Sequence, residues 1–229
     1  MRQVHGAWSR AQPVEGRLNE GLYGIVSSVS CAAPGECAAG GSYGQAFVVN
    51  EVNGRWQRAE LVAGLARLDK GKGASIASVS CRSPGNCSAV GEYVRRETTE
   101  GTAFDTLFVV SEVNGRWGPA RRVPGMAALN TGGDASFAMV SCASAGNCSA
   151  EGFYSDLRFQ QPFVVSQVHG IWGQARRVPG IGAFGAGSYV GGQFTALSCP
   201  RAGQCGAIGH FVILRGNVSI GGLFVVSQN

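Results

Sequence analysis

Lysine is nearly missing from this 229-residue chain, occurring only at Lys70 and Lys72, so arginine supplies almost all of the basic charge. Charged residues of every kind amount to 14%, and hydrophobic residues to 45%. A disordered chain has the opposite balance, many charges and few apolar groups, so a folded core is expected. No uninterrupted apolar run approaches the ~18 residues of a membrane span. No run of like charge reaches five residues, and nothing matches a groove-reading helix or an RNA-binding sheet, so nucleic acid is not an expected partner despite the net charge of +5. Good helix formers are scarce, while glycine fills 36 positions, about twice its usual share. Such a chain suits short strands and tight turns. All-β is the fold class it predicts.

Internal repetition dominates what is there. Phe47-Val-Val-Asn-Glu-Val-Asn-Gly-Arg-Trp56 recurs at Phe108 to Trp117 and at Phe163 to Trp172. A Cys-x5-Cys unit precedes each copy, and a tail ending at Tyr43, Tyr93, Tyr154 or Phe211 follows each Cys pair. Asn53-Gly54, Asn114-Gly115 and His169-Gly170 lie between alternating apolar runs, as does His5-Gly6. Asn-Gly there signals a two-residue hairpin, because a type I′ turn needs φ > 0 at both central residues. Each copy therefore reads as four antiparallel strands, the pattern of a propeller blade. The chain ends at Phe224-Val-Val-Ser-Gln-Asn229 and begins with Arg2-Gln-Val-His-Gly-Ala-Trp8, so the break falls inside that hairpin. The expectation is one domain over residues 1–229, a four-bladed β-propeller with repeats near 1–46, 47–107, 108–162 and 163–223. Its closing segment is 224–229, and the last blade's outer strand comes from Ala7 to Val14. An open solenoid and a half-ring that pairs into eight blades are the competing arrangements.

Val123 to Asn147 carries Val-Pro-Gly, Leu-Asn-x-Gly-Gly and Val-Ser-Cys-x-Ser-x-Gly-Asn almost whole. This pattern, with Phe-Val-Val-Ser-Glu-Val-Asn-Gly-x-Trp, resembles the Cys-containing β-propeller repeats of secreted actinobacterial proteins. It is distantly similar to Asp-box (BNR-type) repeats. The resemblance covers nearly the whole chain and implies architecture rather than chemistry. Glu51, Glu112 and Gln167 stand near where an Asp box would carry its Asp. No arginine triad with a Tyr nucleophile supports sialidase chemistry.

The eight cysteines form four pairs with none left over: Cys31-Cys37, Cys81-Cys87, Cys142-Cys148 and Cys199-Cys205. Two Cys flanking a five-residue hairpin loop can face one another at disulfide distance. Each such ring contributes roughly 2–2.5 kcal/mol. Two thiols per blade do not make a zinc site, and neither metal nor cofactor is expected. Four disulfides imply an oxidising compartment. Met1 is followed directly by repeat sequence, so the secreted form is expected to have lost its signal peptide.

By strand order, the Cys turns and Asn-Gly turns share one face, while the long and variable connections share the other. Function tends to reside in variable loops on a rigid scaffold. The expected ligand site is the channel mouth on that variable face, and the predicted role is a secreted, monomeric, lectin-like module binding carbohydrate or another small ligand. Tyr43, Tyr93, Tyr154 and Phe211 either stack on sugar or plug gaps between blades. Asn19, Asp69 and Asn130 either bind ligand or form turns. Glu92, Glu151 and His210 depart from the repeat and are the candidates for acid–base catalysis at a single channel site. No nucleophile or phosphate-loop motif accompanies them. Leu22, Tyr23, Met126, Leu129, Ile181, Phe184 and Tyr189 could line an apolar pocket or plug the channel. A protein-interaction or structural disc is the third reading.

Overall fold

A computed structural model gives the fold and describes residues 3–4, 7–8, 10–16, 23–97, 103–181, 189–216 and 218–228. Apart from two short helices, Leu65–Asp69 and Met126–Leu129, the regular structure is β, and the strand pairings are antiparallel except for isolated parallel bridges. Four units follow one another. The first is built from Ile25–Ala33, Glu36–Tyr43 and Gln45–Val52, edged by Arg55–Trp56 and Glu60–Leu61. The second is Ala74–Ser83, Asn86–Glu97 and Ala103–Val113, edged by Arg116–Trp117 and Arg121–Arg122. The third is Ala135–Ser144, Asn147–Ser155 and Gln160–Val168, edged by Ile171–Trp172 and Arg176–Arg177. The fourth is Tyr189–Arg201, Gln204–Arg215 and Val218–Ser227, whose last strand has no outer neighbour among the described residues.

The turns follow from their residues. Asn53 and Gly54 have φ of 51° and 75°, Asn114 and Gly115 of 51° and 77°, His169 and Gly170 of 48° and 82°. Both centres of each turn are left-handed, as a type I′ hairpin requires. Each turn then lies over the Cys turn of its own unit: Gly54 N–H donates to Gly35 O at 3.0 Å, Gly115 N–H to Gly85 O at 2.9 Å and Gly170 N–H to Gly146 O at 2.8 Å. The Cys turn must be glycine at that contact, since a Cβ on Gly85 would fall 2.7 Å from Gly115 N. Short turns therefore gather at one end of the units. All four disulfides are formed, with Cα atoms 3.9, 4.1, 3.9 and 4.2 Å apart across their hairpins.

Successive units are joined along their first strands. Serine hydroxyls of one unit accept backbone N–H groups from the edge of the next: Val79 onto Ser28 and Cys81 onto Ser30, Val140 onto Ser78 and Cys142 onto Ser80, Cys199 onto Ser141. Apolar cores fill the three junctions. Between the second and third units, Val90, Phe137 and Phe163 are buried together. The Phe163 ring lies 5.4 Å from that of Phe137 and 6.5 Å from that of Tyr154. Phe163→Ala removes this anchor, so we expect a loss of about 3–5 kcal/mol and a Tm lower by about 10 °C, measured by calorimetry.

Two of the variable connections carry short helices, into which Gly64 and Gly125 (φ 82° and 79°) lead. Met126 and Ile181 are buried core residues, with Leu129 packed beside Met126, rather than the lining of a pocket. Tyr23 is fully exposed, the Tyr189 side chain and Leu22 and Phe184 lie outside the described residues. The closing pairing also differs. Ala7–Trp8 pairs with Gln3–Val4, not with Val218–Ser227, and Arg10 to Gly16 runs beside the first unit, where Ala59 N–H donates to Glu15 O at 2.6 Å. Among the described residues, no strand of the fourth unit packs extensively against the first.

Candidate functional site

Of the aromatic set only Tyr43 ends its strand; Tyr93, Tyr154 and Phe211 lie inside second strands that run on to Glu97, Ser155 and Arg215, and the rings point into packing. Tyr93 and Tyr154 are buried, Tyr93 tilted against Phe108 and Tyr154 against Phe163. Burial raises both hydroxyls above the ordinary tyrosine range, with Arg122 pulling Tyr93 back and Arg177 pulling Tyr154 back. Neither ring offers a face for stacking. Tyr43 and Phe211 are half-buried over glycines: a Cβ on Gly24 would sit 2.2 Å from the Tyr43 ring, and one on Gly222 would sit 2.3 Å from that of Phe211. This is the packing role that the sequence left open beside sugar stacking.

The Asx positions shape turns. Asp69 is buried and its Oδ1 accepts Gly71 N–H at 2.8 Å. Asn130 Oδ1 accepts Gly133 N–H at 3.1 Å, while its Nδ2 donates to Asp105 O at 3.0 Å. Asn19 lies outside the described residues.

The acid–base candidates are not brought together. Glu92 ties two units, accepting Ser75 Oγ–H at 3.0 Å within its own unit and Ser136 Oγ–H at 2.8 Å from the third. Near it, burial raises the Asp105 carboxyl, and the charges of Glu92 and Asp134 raise it further. Glu151 sits in the third unit, fully buried, with both carboxylate oxygens unpartnered among the described residues. Desolvation alone pushes its pKa up to about 8. His210 is exposed on the fourth unit. A proton relay needs contact between its members, and these three belong to three units.

What the motif reading passed over is a polar belt threaded through the junctions. Its signal was present in the Glu or Gln that follows each Phe-Val-Val-[Asn/Ser]. Asn50 Nδ2–H donates to Glu112 Oε1, and Trp117 Nε1–H donates to Asn50 Oδ1 at 2.9 Å. Ser88 donates to Gln167 Oε1 and Gln167 Nε2 to Ser111, at 3.1 and 2.9 Å. Ser149 donates to Gln228 Oε1 and Gln228 Nε2 to Ser166, at 3.2 and 3.3 Å. Burial raises the Glu112 carboxyl, and the Asn50 bond lowers it again.

Grooves of about 240 to 730 Å³ open between units and beside the N-terminal segment. A groove of about 400 Å³ lies between the third and fourth units. None of these is lined by Tyr93, Tyr154, Glu92, Glu151 or His210. Among the described residues, no group of three or more His, Cys, Asp or Glu is placed to hold a metal ion, and no helix is long and apolar enough to cross a membrane. No family model matches the chain, and no curated protein matches it. Function therefore has to be argued from the geometry.

Proposed function

We propose that the chain is a secreted binding module made of four propeller-type blades, and that it holds a carbohydrate ligand through its long, variable loops. The observation that carries this reading is the contrast between the two ends of the units. At one end each unit has a disulfide and, in the first three, a turn hydrogen-bonded over it. At the other end the connection between the second and third strands differs among the first, third and fourth units. Gly44 alone links them in the first unit, while Asp156 to Phe159 do so in the third. In the fourth, Gln204–Arg215 and Val218–Ser227 form a long hairpin. Constant cores with divergent loops are the division of labour expected of a recognition scaffold. Four disulfides fit an oxidising compartment and support the secreted assignment.

Enzymatic action is the less supported alternative, because Glu92, Glu151 and His210 do not share a cleft. With Tyr93 and Tyr154 buried, the sugar contacts fall to exposed groups such as Arg95, near the end of its strand, and Leu157 and Arg158 in the connecting loop of the third unit. A glycan array on the oxidised protein tests this. Selective binding is expected, reduced at least tenfold by Arg95→Ala with Arg158→Ala while Tm is unchanged. An array that stays blank, or binding indifferent to both changes, overturns the assignment.

A further inference from the structure

The two ends of the chain are complementary halves of one junction. At the N-terminus, Gln3 pairs with Trp8 and Val4 with Ala7, the register of Glu51 with Trp56 and Val52 with Arg55 in the first unit. The N-terminal segment is thus an outer hairpin without a unit behind it. Its continuation sits against the first unit as one unit's edge sits against the next: Glu15 O accepts Ala59 N–H, just as Ala63 O accepts Ala120 N–H and Pro124 O accepts Ala175 N–H. The fourth unit is the converse: among the described residues, its three strands have no outer hairpin.

Unmade contacts mark both sides. On the fourth unit, Leu223 and Val225 are 86% and 80% exposed, whereas their repeat equivalents Leu107 and Val109 are buried by the next unit. A Cβ on Gly203 would meet nothing within 4 Å, although one on Gly35, Gly85 or Gly146 would strike the overlying turn. On the first unit, Val26 and Val29 are exposed, while their equivalents Ile76 and Val79 are buried. Glu51 Oε1 is buried with no partner among the described residues, although Glu112, Gln167 and Gln228 at the same position all bond to the preceding unit. By that pattern the missing partner of Glu51 is the Ser227 hydroxyl. Trp8 is 66% exposed, and the open groove bordered by Val165, Ser166 and Val226 is where the tryptophan of a fourth unit belongs.

We propose that a second copy of the chain completes the fourth unit, two chains joining head to tail through two identical seams. The Ala7–Val14 limb of one copy becomes the outer strand on Val218–Ser227 of its partner, and the first unit of the same copy covers the partner's Leu223 and Val225. A head-to-tail contact has to close on itself or grow without end, and two seams close it. Closure also removes the unpaired edge strands. The occupant is a second copy because, among the described residues, no strand of the fourth unit packs extensively against the N-terminal segment or the first unit of its own chain.

Pairing of Val48 with Glu60, Val109 with Arg121 and Val164 with Arg176 places Val225 opposite Gln12. Both residues are exposed, so single cysteine variants should fold. An equimolar mixture of Gln12→Cys and Val225→Cys should oxidise to a covalent two-chain species that neither variant forms alone. Light scattering should give twice the 23.7 kDa chain mass, and Leu223→Arg should halve it without changing the far-ultraviolet spectrum. A one-chain mass, with the double variant cross-linking inside a single chain, overturns the proposal in favour of a ring closed by its own N-terminus. An unlimited ladder of masses overturns the closed pair. None of these readouts depends on ligand, so the seam and the binding assignment fail separately.

Discussion

Glu151→Val should stabilise the protein at pH 8.5 by on the order of 4 kcal/mol and leave it little changed near pH 4.5. The side chain is fully buried with no hydrogen-bond partner among the described residues, and desolvation raises its pKa from 4.5 to about 8. Below about pH 4.5 the carboxyl is protonated in folded and unfolded chains alike, and its titration costs nothing. Between 4.5 and about 8 the unfolded chain releases the proton while the folded chain keeps it, so stability falls as pH rises, by about 1.4 kcal/mol per unit. Above about 8 the group is ionised in both states and the slope disappears. Valine suits the site because Val90 occupies the same repeat position in the second unit and is fully buried. Denaturant midpoints between pH 4.5 and 9 should decline for the parent and decline much less for the variant. Raised carboxyls at Glu112 and Asp105 leave a residual slope. A parent protein equally stable across that range would show that water reaches Glu151. Glu151→Gln separates titration from packing, since it removes the proton while keeping the bulk.

Reduction should unfold the chain outright. Each disulfide closes a loop between residues six apart, and each contributes roughly 2–2.5 kcal/mol. Four together amount to about 8–10 kcal/mol, comparable to the whole net stability of an ordinary domain. Thermal scans in excess reductant should therefore show no cooperative transition above 37 °C. Replacing only Cys142 and Cys148 by serine should lower Tm by roughly 5–10 °C. A reduced protein that still melts cooperatively near the oxidised Tm would mean that the junction cores carry the fold by themselves.

The parts of this fold that were legible in the sequence are those decided locally. Asn-Gly at 53–54 and 114–115 names its turn through backbone sterics, and a Cys pair six residues apart is spaced to bridge its own hairpin. Strand alternation likewise identified which residues share a face. It did not identify what that face meets. Tyr93 and Glu151 alternate correctly for a channel, yet the same alternation serves a junction between units, and only the packing of neighbours separates the two. The short helix at Leu65–Asp69 was missed because five residues are too few for periodicity to register, and Gly64 starts it by a left-handed φ that many turns share. Repetition itself hid the ends, since it describes what an average unit touches and says nothing about a unit without a neighbour.

The locality of the disulfides has one more consequence. Because every bridge begins and ends inside a single hairpin, no disulfide ties one unit to another. A gene segment encoding one whole unit could be duplicated or lost without stranding a half-cystine, and the thiol count would stay even. Lineages carrying this architecture are free to lengthen or shorten it by whole units, and oxidative folding in each would proceed hairpin by hairpin, with no wrong partner nearer than the right one.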